Sequence, residues 1–478
     1  MRQGAHGLYE EELHMAATAA KQTGDNQYPG RALRRVVPRS SHADWTPGPD
    51  RADPVDLITS QNDGRLQSLV PIRHWRMSES PFTFYRGAAK LMANDLATTP
   101  STGIKAQICG DAHLSNFGAY GSPERELVFD VNDFDETLPG PWEWDVKRLA
   151  ASFVIAARHN EFDQEDEASL ASISAAAYRR AMAQFAEMRY LDAWYSHLTV
   201  DEINSAFANQ RSKKEQKSTK KFARKARKKD SLAVAKKLVE TVDGEYRIAA
   251  QAPLIIPLRD MAAEEDPERI RDDVHTSWMA YLESVPDHLD SLLRRFRFID
   301  MALKVVGVGS VGTRSFIVLL EGKDADDPFF LQIKEAGKSV LEDYLPPSRY
   351  ANHGQRVTVG QRQMQASSDS FLGFTPGDSA GRDYYWRQLK DMKASADVDS
   401  ASPAAMQRFA QICGWTLARA HARSGVAPSI AGYLGSGTVF DEAIADFAVA
   451  YAHQNESDYD AFMAAINSGR IEARADQD

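Results

Sequence analysis

Between Gly110 and Glu136 two acid-rich polar segments bracket one apolar run, and that arrangement fixes where chemistry can sit in this chain. The first segment reads Gly110-Asp111-Ala112-His113-Leu114-Ser115-Asn116. The second reads Asp130-Val131-Asn132-Asp133-Phe134-Asp135-Glu136. ELVFDVND, which runs into the second segment and is bounded by turn residues, reads as a buried strand. An Asp with an Asn five residues later on a strand-bounded loop places two oxygen ligands around one point. A carboxylate from the next strand completes a clamp for magnesium, which takes near-octahedral oxygen ligands. Phosphoryl transfer needs such a clamp and a base that orients the attacking hydroxyl. A single Asp loop would read more simply as a turn held by its own side-chain hydrogen bonds; two of them flanking one strand favour a site.

A second constellation lies far downstream, at Gly307-Val308-Gly309-Ser310-Val311-Gly312-Thr313-Arg314. Glycines let backbone amides approach phosphates closely. A dinucleotide fingerprint requires a helix after the glycines, but SFIVLLEG is β-like. Strand, glycine loop, strand is the order of a kinase phosphate flap, and Lys334 in LQIKEA falls where that fold carries its phosphate-pairing lysine.

Composition narrows the class. With 57 Lys plus Arg against 67 Asp plus Glu, the net charge is −10, which argues weakly against bulk nucleic-acid binding. Arg211–Lys229 is the exception, RSKKEQKSTKKFARKARKK. It reads as a solvated helix or as an electrostatic surface for a phosphate-rich partner, and its one aromatic, Phe222, gives no stacking platform. Cys109 and Cys413 are too few for a disulfide scaffold or a Cys-rich zinc site. The acidic start MRQGAHGLYEEELH does not suit a signal peptide, and no run approaches a membrane span, so the expectation is a cytoplasmic protein with no membrane partner. The expected organisation is a frayed extension over 1–54 with a short helix near Glu10–Lys21, a helical part with the acidic loops over 55–210, a basic insertion and connecting helices over 211–300, a small β-rich part over 301–395, and closing helices over 396–478. FTFYRGAAKLMANDLA reads as one helix.

GDAHLSNFG is similar to the catalytic loop of aminoglycoside phosphotransferases and related small-molecule kinases, His-Gly-Asp-Leu-His-x-x-Asn, and NDFDE resembles their metal-binding Ile-Asp-Phe-Asp segment. RMSESPFTFYRGAA, GDAHLSNFG, FDVNDFDETLPGPWEWDVKRLAAS, KVVGVGSVGTR, LQIKEA and LARAHARSG together resemble the bacterial domain of unknown function 2252 family, from about Asp56 to about Ile466. The resemblance implies an α+β, protein-kinase-like two-lobed fold. Its catalytic loop precedes the glycine loop and the lysine, the reverse of an ordinary kinase, so the fold is expected to be circularly permuted.

By resemblance, Asp111 is the base or hydroxyl-orienting residue, and His113 matches the second His of the loop, in a chemical or a bracing role. Asn116, Asp133 and Asp135 are the magnesium ligands, with Asp130 a weaker candidate. Gly307, Gly309, Ser310 and Gly312 cover the phosphates of ATP, and Lys334 holds them. Arg86 binds phosphate or substrate, or forms a structural ion pair. Asp145 braces the catalytic loop through backbone amides. Two departures stand out. Cys109 replaces a His. The acid that should pair with Lys334 from the next helix is also missing: none occurs between Asp343 and Asp369, which leaves Glu335, Glu342, Gln361 or Gln365. The expected function is ATP- and magnesium-dependent phosphate transfer to an unknown small-molecule or protein hydroxyl. The alternatives are a pseudokinase-like nucleotide-binding module and an AMP-transferring enzyme.

Overall fold

The computed structural model describes residues 29–229, 231–242, 245–261, 267–305, 307–389 and 392–475. The helix expected near Glu10–Lys21 lies outside them. The chain is mixed α+β with antiparallel sheets. After short helical turns, including one at Pro54–Thr59, come α1 (Val70–Ser78), α2 (Pro81–Gly87) and α3 (Ala89–Leu96). Ser80 starts α2 with a reciprocal capping box to Thr83, and Pro81 fills the first turn. The single helix expected from FTFYRGAAKLMANDLA is two, because the backbone leaves helical geometry at Ala88.

Next come β1 (Lys105–Ile108), β2 (Phe117–Gly121), β3 (Leu127–Val131) and β4 (Leu138–Pro141). The long helices α4 (Trp142–His159) and α5 (Gln164–Glu187) follow, then the basic α6 (Lys213–Arg227). β5 (Val239–Val242), β6 (Glu245–Ile248) and β7 (Ile255–Pro257) lead to α7 (Pro267–Ser284). β8 (Arg297–Lys304), β9 (Ser315–Glu321) and β10 (Pro328–Ala336) precede α8 (His353–Met364). The chain closes with β11 (Gly373–Thr375), β12 (Asp383–Gln388), β13 (Ala394–Ser395), α9 (Pro403–Ala422) and α10 (Val439–Asn467).

Six strands form the main sheet in the order β11-β12-β10-β9-β8-β7. SFIVLLE shows no alternation because both faces of β9 are covered. Phe316, Val318 and Leu320 join a core with Tyr281 and Val274 of α7, while Ile317 and Leu319 meet Val234 and Ile248 on the other side. The helical core draws on both ends of the described chain: α4 and α5 from one half, α9 and α10 from the other.

The described part of the N-terminal extension is packed, not frayed. Arg34 donates to the carbonyls of Gly432 and Tyr433, and His42 is buried against Tyr433 and Phe440. Arg51 forks between Asp95 and Asp458, and the amide of Arg474 bonds to Pro71. Guanidinium forks of this kind supply directional contacts that a polar, apolar-poor segment cannot get from burial. Among the described residues no helix is long and apolar enough to cross a membrane.

Candidate functional site

The loop after β1 is fixed from beneath. Asp145, in the first turn of α4, accepts the amides of Cys109 at 2.8 Å and Gly110 at 3.0 Å, as the sequence suggested. His421 of α9 reaches the same carboxylate at 3.2 Å, and Tyr178 orients that imidazole. Gly110 needs its missing side chain: its φ is +80°, and a Cβ would lie 2.6 Å from the carbonyl of Glu136. Asp111 then stands at the tip. Its Oδ1 accepts two hydrogen bonds from Arg148, at 2.9 and 2.7 Å. Burial pushes this carboxyl up and Arg148 opposes the push. His113 is buried with Nε2 3.7 Å from Asp111 Oδ2, beyond hydrogen-bond range. Burial and the neighbouring arginines Arg148 and Arg86 hold His113 well below its ordinary pKa, so it is neutral. The amide of Asn116 donates to the carbonyl of Asp111 at 2.9 Å.

Across from this loop, β10 supplies Lys334, whose Nζ meets Asp135 Oδ2 at 2.5 Å. The lysine's missing acidic partner is therefore Asp135 itself. Tyr385 donates to the other oxygen at 2.6 Å. Burial pushes Asp135 up, but Lys334 and Tyr385 more than offset it, and its pKa falls below the ordinary carboxylate value. Asp133 goes the other way: burial and the charge of Asp135 raise it. Its one hydrogen bond among the described residues comes from the amide of Asp135 at 3.3 Å. Helix α8 holds this segment through Arg356, which donates to the carbonyls of Thr137, Asp135 and Gly337. Gln361 and Gln365 bond to each other and to Val131, not to Lys334. Glu335 pairs with Arg314. Asp130, the weaker metal candidate, is buried in an ion pair with Arg419 and belongs to the core.

Asp133 and Ser310 line two adjoining cavities. The larger, about 780 Å³, is also bounded by Lys334, Gly307, Gln361 and Arg387. The smaller, about 430 Å³, is bounded by Asp111, Asp135, Arg86 and Gly309. Both fall in the size range of small-molecule sites. The glycine loop is tethered from the first helices: Arg76 donates to the carbonyl of Gly307, Arg65 to that of Val311, and the amide of Leu66 to that of Gly312. Gly312, at φ +89°, packs on the side chain of Arg65. Gly309 lies against the Arg86 carbonyl, 3.4 Å from where a Cβ would sit. Sequence reasoning missed Arg148, Tyr385 and Arg387. The last two were signalled by period two: Tyr385 pairs with Lys334 and Arg387 with Gln332 across β12 and β10, on one face, while Trp386 between them enters the core. Among the described residues no three His, Cys, Asp or Glu side chains gather as a metal site; Asp133 and Asp135 share the smaller cavity with Asp111, and Asn116 lies on the lining of neither cavity.

The basic helix α6 buries Ala223 and Ala226 and leaves most of its lysines exposed. Its C-terminal end is tied to the larger cavity's wall, since Lys229 bonds to the backbone of Met392 and Lys393. No curated protein and no solved structure matches the chain. A family model described as an uncharacterized protein conserved in bacteria (DUF2252) matches residues 65–465. That span covers most of the chain and every residue of the site just described, and the chain belongs to the DUF2252 family.

Proposed function

We propose that this chain is an ATP- and magnesium-dependent phosphotransferase with a protein-kinase-like, circularly permuted fold, acting on a hydroxyl acceptor. One observation carries the reading. Lys334, 199 residues from Asp135 in sequence, is ion-paired to it beside Asp133, whose carboxylate has no cation bonded to it among the described residues. A half-buried carboxylate on a cavity wall with a raised pKa is a site a cation would relieve. Asp133, Asp135 and the amide oxygen of Asn116 suit a magnesium ion that takes its remaining ligands from phosphates and water. Bound there, the ion would neutralise charge on the transferring phosphoryl group. Lys334 and the amides near Gly309 and Ser310 would hold phosphate oxygens. Asp111 keeps Oδ2 for the acceptor hydroxyl while Arg148 fixes Oδ1. The acceptor oxygen bonds to the γ-phosphorus as the bond to the β-bridging oxygen breaks, the hydroxyl proton passes to Asp111, and ADP leaves. The permuted order is supported by the end of α9: Ser424, next to LARAHAR, accepts the amide of Gln107 on the strand that leads into the Asp111 loop.

A nucleotide-binding module without turnover is the second reading. It is favoured by Arg148, which occupies one oxygen of Asp111 and weakens it as a base. Thermal unfolding with and without ATP and Mg²⁺ tests the shared premise, in wild type, Asp133→Ala and Lys334→Met. Ligand at about 100 times its Kd stabilises by about 2.7 kcal/mol. A magnesium-dependent shift lost in both variants is expected, and no shift with any nucleotide refutes both readings. Turnover, with product mass separating phosphate from AMP addition, then distinguishes enzyme from module.

A further inference from the structure

Arg86 is the cation that stands apart in this site. On the smaller cavity Asp111 is matched by Arg148, Asp135 by Lys334, Glu335 by Arg314, and Asp343 by Lys338 and Lys90, while Asp133 is bonded to no cation among the described residues. Glu136 is satisfied by Ser339 and the amide of Val340. The Arg86 guanidinium, on the cavity wall in the last turn of α2, has no hydrogen-bond acceptor or ion-pair partner among the described residues, and its Nε is buried. Burial works against its charge, and Asp111 gives the largest opposing contribution without touching it. Buried cations without partners are costly, so the position suits one completed by a ligand. Its place is specific. The Arg86 carbonyl seats Gly309, while the side chain shares the cavity with Asp111. Lys334 and Arg387 bound the other cavity.

We propose that the smaller cavity is the acceptor site, and that Arg86 selects acceptors carrying an oxyanion, a phosphate or a carboxylate, close to the hydroxyl offered to Asp111. This assignment of substrate class rests on the phosphotransferase reading. A guanidinium fork matches such a group bidentately. The nucleotide would occupy the larger cavity, so acceptor and nucleotide bind together and meet at Asp133.

Isothermal titration of the full chain with glycerol 3-phosphate, with and without saturating AMPPNP and Mg²⁺, tests this. Glycerol 3-phosphate is expected to bind in both conditions, and glycerol not at all. Losing hydrogen bonds to a charged group corresponds to about tenfold or more in affinity, so Arg86→Met should weaken binding by at least that factor. Arg86→Lys should fall between. Lys220→Gln with Lys221→Gln on α6 should change nothing, which separates this site from the basic surface. Unaltered affinity in a folded Arg86→Met protein overturns the proposal, as does no binding by wild type. Displacement by AMPPNP overturns it too, because Arg86 would then be holding the nucleotide's phosphate. If AMPPNP fails to bind while the Arg86-dependent anion site persists, the phosphotransferase reading falls and the anion site stands.

Discussion

Replacing Asp145 by alanine should loosen the Asp111 loop by a calculable amount. The carboxylate is buried and accepts two backbone amides, at 2.8 and 3.0 Å, plus the imidazole of His421 at 3.2 Å. Alanine removes the acceptor of both amides. Each orphaned buried donor costs roughly 1–3 kcal/mol, so the two together cost about 2–6 kcal/mol. Unfolding entropy near 2.1 cal/mol/K per residue gives roughly 1 kcal/mol/K for a chain of this length, hence a Tm drop of about 2–6 °C. Asp145→Asn retains one acceptor oxygen and should lose about half as much. Urea unfolding followed by far-UV circular dichroism measures the total. Hydrogen exchange localises it, with the amides of Cys109 and Gly110 losing protection in Asp145→Ala before those of β9. If Asp145→Ala costs under 1 kcal/mol, or if those two amides exchange as in wild type, the brace is not what holds the loop.

Asp133→Asn should stabilise the ligand-free protein by on the order of 1 kcal/mol, by relieving an unsatisfied buried charge. Its raised pKa means the cost is present above the folded value and absent below the unfolded one, so the gain measured by thermal melts at pH 7 should vanish near pH 3. Lys334→Met should destabilise by about 3 kcal/mol, the lower end for breaking a buried pair. Asp135 is depressed and Lys334 raised, so the pair contributes fully between about pH 4 and pH 10, and the loss should shrink below that window as Asp135 protonates. If α6 serves a phosphate-rich partner, as against a solvated helix, the chain should bind duplex DNA with an affinity, followed by anisotropy, that falls steeply with salt, a slope of about −0.9 per phosphate contact; no binding at low salt leaves the solvated helix. Changing Lys217, Lys220, Lys221 and Arg224 to Gln should abolish it; binding that survives places the polyanion elsewhere.

What the sequence disclosed, and what it withheld, follows the reach of the contacts involved. The Asp111 loop, the strand between the acidic segments and the strand–glycine–strand unit were readable because each depends on neighbours within a few residues: alternation, turn residues, a glycine where φ is positive. Asp145 was readable through resemblance, since WEWDVKRLA is similar to the helix start that braces a catalytic loop through backbone amides. The partner of Lys334 was not. A local pattern puts a glutamate on the next helix, and no acid occurs between Asp343 and Asp369. The acid that serves lies 199 residues upstream, and α8 contributes the opposite charge: Arg356 grips the backbone of the Asp135 segment instead of the lysine's ammonium. Arg148 went unseen for a related reason, since a helix full of apolar residues hides one arginine aimed at a loop 37 residues back. The extension before Pro54 reads as polar and frayed, yet it docks through arginines onto the carbonyls of Gly432 and Leu434 and the carboxylates of Asp95 and Asp458, which only the folded chain brings together. In each case one member of the contact is a long, charged side chain. Such chains leave no periodic trace in the sequence, and they converge here because the helical core is assembled from both halves of the chain.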